Sequence, residues 1–268
     1  NLSSMQISVI IPTYNRPKIL KECLERLFDQ HLVPSEYEIL VVDDGSSVST
    51  RNLVKRMQEK APCKLKYYYQ ENSGQGIARN RGLRYATGKI SLFVGDDILV
   101  TPEFLHEHLN YHRKYVHENE AVLGFIAWDP RLDINPLMKF LVNGSCVFGR
   151  YGGHQFAFEK LTGKNLANFN FFYTSNISLK TSLLKKQRFD TTFSKYGWED
   201  IELGYRLEQK TGMKLYYNSK AIAYHYHQIT EENLENRMFM VGKSAHIIHE
   251  KYPELKKVPS PLKKFILK

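Results

Sequence analysis

The sequence predicts an α/β fold in which helices flank a mostly parallel central sheet. Short apolar runs rich in β-branched residues recur in the first half of the 268-residue chain, and a segment of helical periodicity follows most of them. This alternation favours parallel strands joined by right-handed crossovers, because each helix carries the chain back to the same end of the sheet. The chain is long enough to bury a sizeable core.

The first hundred residues carry the clearest pattern. Four short runs predict strands: 7–11, 38–42, 64–69 and 89–94. Three segments between them predict helices: Pro17 to Phe28, about Thr50 to Lys60, and Ile77 onward. Together they make the β-α-β-α-β order that is typical of a parallel sheet.

The second half is less regular. Four more strands are expected: 121–127, an edge strand at 173–179, and two short strands at 213–217 and 221–224. Helices are expected in three places: after Thr101, after Glu199 and from Glu231. The helix after Thr101 carries His106, His108 and His112, which we expect on its solvated face. We expect 185–193 to be a loop, and the aperiodic segment 128–172 to be a lid or binding loop.

The chain is basic, with a formal net charge of +10, which indicates an anionic partner such as phosphates, nucleic acid or an acidic membrane surface. No recognisable nucleic-acid module is present, so nucleic acid is not expected. The three cysteines are far apart in the sequence, which favours a reducing compartment. With a short polar start and no long apolar run, we expect a cytoplasmic protein, with peripheral contact to the inner membrane face as a further option.

Acidic residues stand directly after two of the predicted strands. Asp43 and Asp44 follow 38–42, and Asp96 and Asp97 follow 89–94. Each pair taken alone is ordinary turn chemistry. In a parallel sheet, however, both pairs would lie at the carboxyl edge, where open α/β folds bind their ligands. Paired carboxylates there suit a divalent cation such as Mg²⁺ or Mn²⁺.

Two further stretches carry candidate chemistry. A glycine-containing loop after Glu71 leads into a helix with Arg79 and Arg81, an arrangement that suits a diphosphate. It is neither a dinucleotide-binding fingerprint nor a P-loop. Glu199 and Asp200 open a later helix, where acids are favoured by the helix dipole or can serve as a general base.

These stretches occur in a specific order: Val9-Ile-Ile-Pro-Thr-Tyr-Asn-Arg16, Val41-Val-Asp-Asp-Gly-Ser46, Asn72 to Gly82 with its Ala-Arg-Asn, Asp96-Asp97, and Gly197-Trp-Glu-Asp200. In that order they resemble the inverting family 2 glycosyltransferases of the GT-A fold, although each motif alone is weak. The resemblance covers roughly the first 230 residues. It implies a GT-A domain over 1–229, with a nucleotide-binding half, 1–100, and an acceptor and catalytic half, 101–229.

Beyond that domain, we expect a C-terminal helical extension over 230–268. It would end in a basic, apolar tail from Pro261, which could lie on an anionic membrane or be a frayed end, the alternative that we favour. Within the domain, the aperiodic segment 128–172 would belong to the acceptor side, where specificity resides.

By the same resemblance, the donor would be a nucleotide sugar, expected to be a UDP-sugar. Ten residues match the family's donor-binding positions: Pro12, Thr13, Tyr14, Arg16, Asp43, Asp44, Asn72, Gly74, Arg79 and Asp96. Tyr14 would stack on the base and Asp44 would read its edge. Asp97 and His225 would hold a divalent metal, Mn²⁺ or Mg²⁺, with His227 as the second choice of histidine.

The catalytic positions would be Asp200, the general base, and its neighbour Glu199. Trp198 and Glu199 would contact the acceptor, a glycan or a lipid-linked sugar in polysaccharide or glycoconjugate synthesis. The resemblance therefore implies a single displacement with inversion at the anomeric carbon.

One departure from the family pattern matters. Gly95 stands where the family's Asp-x-Asp commonly begins with an acid, so the metal's inner shell would depend more on Asp97 and His225. Two rival interpretations remain at this point. A degenerate GT-A domain would bind a nucleotide sugar or glycan without turnover. A nucleotidyltransferase would require a glycine-rich basic loop after the first strand, where this chain has Pro12-Thr-Tyr-Asn15.

Overall fold

A computed structural model describes residues 4–143, 156–193 and 197–258. Nine strands lie in these ranges: β1 Ile7–Thr13, β2 Tyr37–Asp44, β3 Lys64–Gln70, β4 Ile90–Val94, β5 Ile98–Val100, β6 Glu120–Trp128, β7 Leu166–Ala167, β8 Asn176–Lys180 and β9 Lys214–His225. Eight α-helices accompany them: α1 Pro17–Phe28, α2 Thr50–Gln58, α3 Gln75–Tyr85, α4 Phe104–Lys114, α5 Pro136–Asn143, α6 Thr181–Lys186, α7 Glu199–Thr211 and α8 Glu231–Lys251.

All nine strands join one mixed sheet in the order β3-β2-β1-β4-β8-β6-β9-β5, with β7 added beside β9. The first four strands are parallel to one another, and β8 runs antiparallel to both of its neighbours, β4 and β6. The predicted α/β class is confirmed, as are the four strands and three helices of the first hundred residues.

The sheet separates two apolar cores. All seven residues of β1 are buried, and alternation sends Val9 and Ile11 into one core and Ile10 into the other. The first core lies under α1, whose buried Leu20, Leu24 and neighbours recur at helical spacing. The second core lies under α7, through Leu203 and its neighbours.

The prediction of an edge strand at 173–179 was wrong. The strand is β8, and it lies between β4 and β6 in the middle of the sheet. The predicted solvated face for the helical histidines was also wrong for two of the three. His108 and His112 are buried against the polar side chains of β8, which is why those polar residues tolerate a central position.

The two short strands predicted at 213–217 and 221–224 form the single strand β9, which contains a bulge. The expected loop at 185–193 begins inside α6. Strand β5 and helix α5 were not predicted, and α5 occupies part of the aperiodic segment 128–172, of which 144–155 lies outside the described residues.

The predicted C-terminal helix is confirmed as α8, which begins with a capping box at Thr230 and Asn233. The basic tail from Pro261 lies outside the described residues. No helix in the ranges above is both long enough and apolar enough to cross a membrane.

Candidate active site

The carboxyl ends of the central strands bring several predicted residues together. Thr13, the last residue of β1, lies opposite Asp43 of β2 in the parallel ladder. On the other side, β4 ends at Val94 and leads directly into Gly95, Asp96 and Asp97. Thr13 Oγ1 donates a hydrogen bond to Asp96 Oδ2 at 2.8 Å. This edge of the sheet is the predicted ligand edge.

Arg16, one residue before α1, bridges the two adjacent acids. Its Nη2 lies 3.0 Å from Asp96 Oδ1 and also donates to Asp97 Oδ2. Burial raises the pKa of Asp96 to about 7, and Arg16 opposes that rise. Burial also acts upward on Asp97, but His225 and Arg16 outweigh it and hold the pKa of Asp97 below its ordinary value.

The end of β9 delivers two histidines to Asp97. His225 Nε2 lies 3.1 Å and His227 Nδ1 3.7 Å from Asp97 Oδ2. Backbone pairing fixes the approach, since His225 lies opposite Ile98 of β5 and the Tyr226 amide donates to the Asp97 carbonyl at 2.8 Å. Both the first and the second choice of metal-facing histidine therefore lie beside the predicted acid.

Aromatic rings enclose His225 from the other side. Trp128 stacks on the imidazole with centroids 5.4 Å apart, and Phe156 meets it edge-on at 5.7 Å. His225 Nδ1 is buried and has no hydrogen-bond partner in the described part of the chain. The second ring nitrogen is thus unsatisfied in this arrangement.

Asp97 and the histidines beside it are chemically suited to a divalent cation, although they do not form a complete metal site. Among the described residues, no three or more histidine, cysteine, aspartate or glutamate side chains are arranged to hold a metal. Asp97 and His225 nevertheless offer the oxygen and nitrogen donors that Mn²⁺ accepts. An acid at position 95 would be crowded, because a Cβ on Gly95 would lie 2.9 Å from Asp97 Oδ1.

The Asp44 carboxylate holds the loop that leads into α3. Its Oδ1 accepts from the Ser73 amide and its Oδ2 from the Gly74 amide, each at 2.9 Å. Its backbone carbonyl accepts from Asn72 Nδ2 at 2.9 Å. Three predicted donor residues therefore form one connected turn, and Asp44 stabilises that turn as well as lying at the ligand edge.

The Asp43 carboxylate is also hydrogen-bonded within the fold. It accepts from Tyr67 Oη at 2.7 Å and from the Ser46 amide at 2.8 Å. Pro12 is buried within β1, whereas the neighbouring Tyr14 is 48% exposed. The Tyr14 ring, predicted to stack on a base, is therefore accessible from solvent.

Arg79 and Glu199 form a buried ion pair. Arg79 Nη1 lies 3.0 Å from Glu199 Oε1, and the two side chains are 5% and 2% exposed. Arg79 Nη2 also donates to Gln75 Oε1 at 3.0 Å. The close approach of α3 to α7 requires a small residue, since a Cβ on Gly76 would lie 3.3 Å from Glu199 Cγ. Arg79, predicted to face a diphosphate, thus lies inside the molecule beside the predicted catalytic pair.

Asp200 lies in the first turn of α7, next to Glu199. Burial raises the pKa of Asp200 to about 7, and the Glu199 carboxylate adds to the rise, while Arg79 opposes it. Its Oδ1 accepts from the Ile201 amide at 2.8 Å. Tyr173 is close enough for the Asp200 charge to add to the rise that burial causes in the tyrosine's pKa. A carboxyl that titrates near neutrality is suited to general-base work.

Trp198 precedes the predicted catalytic pair in a left-handed conformation, with φ of 71°. Its indole Nε1 donates to the Val241 carbonyl of α8 at 3.0 Å, and Lys257 Nζ lies 5.2 Å from the ring centroid. The residue predicted to bind the acceptor therefore also joins the turn before Glu199 to the C-terminal helix.

Sequence reasoning missed three aromatic residues of the site: Trp128, Phe156 and Tyr173. Trp128 had a usable signal, because it ends β6 and is followed by Asp-Pro, at the same carboxyl edge as the acids. Tyr173 was assigned to a strand, and Phe156 fell in the aperiodic segment, so neither had a signal of its own.

Known proteins are similar to this chain in sequence and in fold. The family described as Glycosyl transferase family 2 matches residues 8–132. Validoxylamine A glucosyltransferase of Streptomyces hygroscopicus subsp. limoneus is 31% identical over 217 residues, which cover 75% of this chain and 47% of that protein. The chain spans about half the length of the first curated relatives it matches.

Two solved structures are similar in fold. Staphylococcus aureus TarS 1–349 in complex with UDP superposes with a TM-score of 0.62 at 22% identity, over 90% of this chain and 65% of that one. The mannosyltransferase PcManGT of Pyrobaculum calidifontis, in complex with GDP-Man and Mn²⁺, gives 0.65 at 19% identity, over 97% and 68%. The fold is that of the GT-A glycosyltransferases. The chain belongs to the family 2 glycosyltransferases.

Proposed function

We propose that this protein is an inverting glycosyltransferase that moves a hexose from a UDP-sugar to an acceptor hydroxyl with the help of a divalent metal. The observation that carries the proposal is Asp200, a half-buried carboxyl at the start of α7 whose pKa is raised to about 7. The family match supports the reaction class, and the UDP complex of TarS supports the choice of nucleotide.

On the donor side, the exposed Tyr14 ring would stack on the uracil base. The turn from Asn72 to Gly74, held by Asp44, would place its backbone near the nucleotide. Asp96, anchored by Thr13, would face the ribose. These roles agree with the position of all these residues at one edge of the sheet.

Asp97 and His225 would hold the metal, which would offset the negative charge that grows on the departing diphosphate. Arg16 Nη2 and His225 Nε2 both contact Asp97 Oδ2. The guanidinium would therefore leave that oxygen when a cation binds between Asp97 and His225. A free Arg16 would then be available for the phosphates, since arginine pairs well with phosphate oxygens.

On the acceptor side, Asp200 would remove the proton from the attacking hydroxyl. The Ile201 amide occupies Oδ1, which leaves Oδ2 for that proton. The attack would come from the face of the sugar opposite the diphosphate, so the product would be inverted. Glu199 keeps the Asp200 pKa high, and Trp198 would form part of the wall against which a glycan or lipid-linked acceptor rests.

The test is Asp200→Asn, which keeps the shape of the side chain and removes the base. Turnover of a UDP-sugar should fall about 10²–10⁴-fold, the usual contribution of a general base, while UDP affinity stays within a factor of a few. Asp29→Asn, an exposed aspartate after α1, is the matched control and should change neither quantity. Near-normal turnover in the Asp200 variant would refute its role.

One observation favours a second function, a GT-A domain that binds without turnover. Gly95 replaces the usual first acid, and Arg16 already neutralises the acids that remain. Release of UDP from a panel of UDP-sugars, measured with Mn²⁺ present, separates the two functions. Tight UDP binding without any release would favour the binding domain.

A further inference from the structure

The bulge in β9 determines which residue faces Asp97. In the ladder between β6 and β9, Gly124 lies opposite Asn218, but the next residue, Phe125, lies opposite Ile222. Three residues of β9 are therefore inserted at this point, and the shifted register continues until Trp128 lies opposite His225. Without the insertion, Ile222 would occupy the place of His225.

Asn176 of β8 closes this bulge. Its Nδ2 donates to the Phe125 carbonyl at 3.0 Å and to the Ala221 carbonyl at 2.9 Å, one on each strand. The side chain is fully buried, and it needs the glycine opposite, since a Cβ on Gly124 would lie 2.3 Å from Asn176 Nδ2. The Asn176 backbone pairs with Val94, the residue that leads into Gly95 and the two acids.

A directional chain of hydrogen bonds fixes the orientation of that amide. Lys180 Nζ donates to His112 Nδ1, so His112 Nε2 carries a proton and donates to Ser178 Oγ. The Ser178 hydroxyl then donates to His108 Nδ1, and His108 Nε2 donates to Asn176 Oδ1. Each of these contacts is 2.8–2.9 Å, and every group has one consistent role.

We propose that Asn176 is a positioning residue for the metal-facing end of β9. The hydrogen bond from His108 fixes the Asn176 amide, which joins β6 and β9 across the bulge and keeps His225 in register with Asp97. The part of this inference that concerns metal binding rests on the proposed function. The part that concerns the register does not.

The register is tested without any metal, by amide hydrogen exchange in Asn176→Asp, which replaces the donor by an acceptor of the same shape. The amides from Ile222 to His225 should exchange at least about tenfold faster than in the wild type, and those from Lys214 to Tyr217 should change much less. Ser91→Ala is the matched control, because it removes another buried side-chain hydrogen bond of the sheet, to Thr181, and leaves the bulge intact. Equal protection of both halves of β9 in Asn176→Asp would overturn the proposal.

The consequence for the site is tested by Mn²⁺ titration, followed by electron paramagnetic resonance in the presence of UDP. Asn176→Asp should weaken Mn²⁺ binding about tenfold, as loss of a supporting residue around a metal does, and Ser91→Ala should not. In the double variant with His225→Ala, the Asn176 substitution should add no further loss, because it acts through His225. Full additivity would overturn the positioning role.

Other outcomes separate this inference from the proposed function. If His225→Ala binds Mn²⁺ as the wild type does, the proposed metal role fails, while the exchange data still decide the register. Asn176→Ser, which is too short to reach both carbonyls, replaces the aspartate variant if that protein does not fold. If neither variant folds while Ser91→Ala does, Asn176 supports the whole sheet and the specific role is overturned.

Discussion

Burial and two charged neighbours have opposing effects on the pKa of Asp200. Burial and Glu199 raise its pKa to about 7, and Arg79, paired with Glu199, works against them. A base must be deprotonated to act, so activity should rise with pH and level off above about 7. The same raised pKa makes the folded state bind a proton that the unfolded state releases, so this residue's contribution to stability falls as the pH rises from about 4 to 7.

Glu199→Gln should move the acidic limb of the kcat/KM profile to lower pH. The substitution removes the carboxylate that raises the Asp200 pKa and leaves Arg79 uncompensated, and both changes favour the ionised base. The measurement is the pH dependence of kcat/KM for UDP-sugar turnover in the two proteins. A limb that stays near 7 would mean that Asp200 is not the titrating group.

Arg16→Gln should change metal and nucleotide binding in opposite directions. Without the guanidinium on Asp97, Mn²⁺ should bind the free protein more tightly, whereas UDP affinity should fall by several-fold because a phosphate partner is lost. Electron paramagnetic resonance of Mn²⁺ measures the first effect, and titration with UDP measures the second. Lys18→Gln, an exposed cation in the first turn of α1 and two residues from Arg16, is the control and should leave both unchanged.

For single residues, the sequence predicted their positions in the fold better than it predicted their hydrogen-bond and ion-pair partners. Asp43 and Asp96 could be placed at one edge because parallel strands end together. The Arg79–Glu199 pair could not be predicted, since 120 residues separate them and each had a plausible role of its own. Arg16 was predicted to face the donor, and its contact with both acids depends on the angle at which α1 leaves the sheet.

Among the elements, α4 and β8 make the least expected contact. Burial lowers the pKa of His108 to about 4, and burial together with Lys180 lowers that of His112 well below its ordinary value. Both rings are therefore neutral in the folded protein. Since the unfolded chain takes up these protons near pH 6.5, stability from this network is lost as the pH falls from about 6.5 towards 4.

His108→Gln should reduce the loss of folding stability that occurs as the pH falls. For the wild type, His108 alone contributes a loss of about 2 kcal/mol between pH 7 and pH 5, from 1.36 kcal/mol per unit of pKa shift. Urea unfolding at the two pH values, compared between wild type and variant, measures the contribution of His108 and of its effect on the neighbouring His112. His106→Gln, on the exposed side of α4, is the control. Parallel losses in the wild type and His108→Gln would contradict the assignment.

The same contact explains why β8 was misassigned as an edge strand. Asn176, Ser178 and Lys180 alternate with apolar residues, a pattern that normally indicates one solvated face. Their hydrogen-bond partners lie on α4, about 70 residues earlier in the sequence, and no pattern in the sequence around β8 predicts them. By contrast, β1 and β2 were predictable because they are apolar on both faces.

In the molecule as a whole, α8 contacts the turn before Glu199 through Trp198. Trp198→Phe removes the bond to the Val241 carbonyl and should destabilise the protein by about 1 kcal/mol. Because that bond joins α8 to the turn before Glu199, the loss should be accompanied by faster amide exchange in α8. Thermal unfolding and hydrogen exchange measure the two effects, with Phe239→Leu, on the exposed side of α8, as control. Unchanged exchange in α8 would remove Trp198 from this role.

The buried pair between Arg79 and Glu199 has a consequence for recombination within the family. Helix α3 lies in the half predicted to hold the nucleotide, and α7 carries the predicted catalytic acids, so a crossover point anywhere between the two helices separates the two charges. A hybrid that inherits one partner and an uncharged counterpart would bury a lone ion, at a cost of about 3–5 kcal/mol. Where a relative lacks this pair, a graft that exchanges donor specificity should therefore take α3 and α7 together.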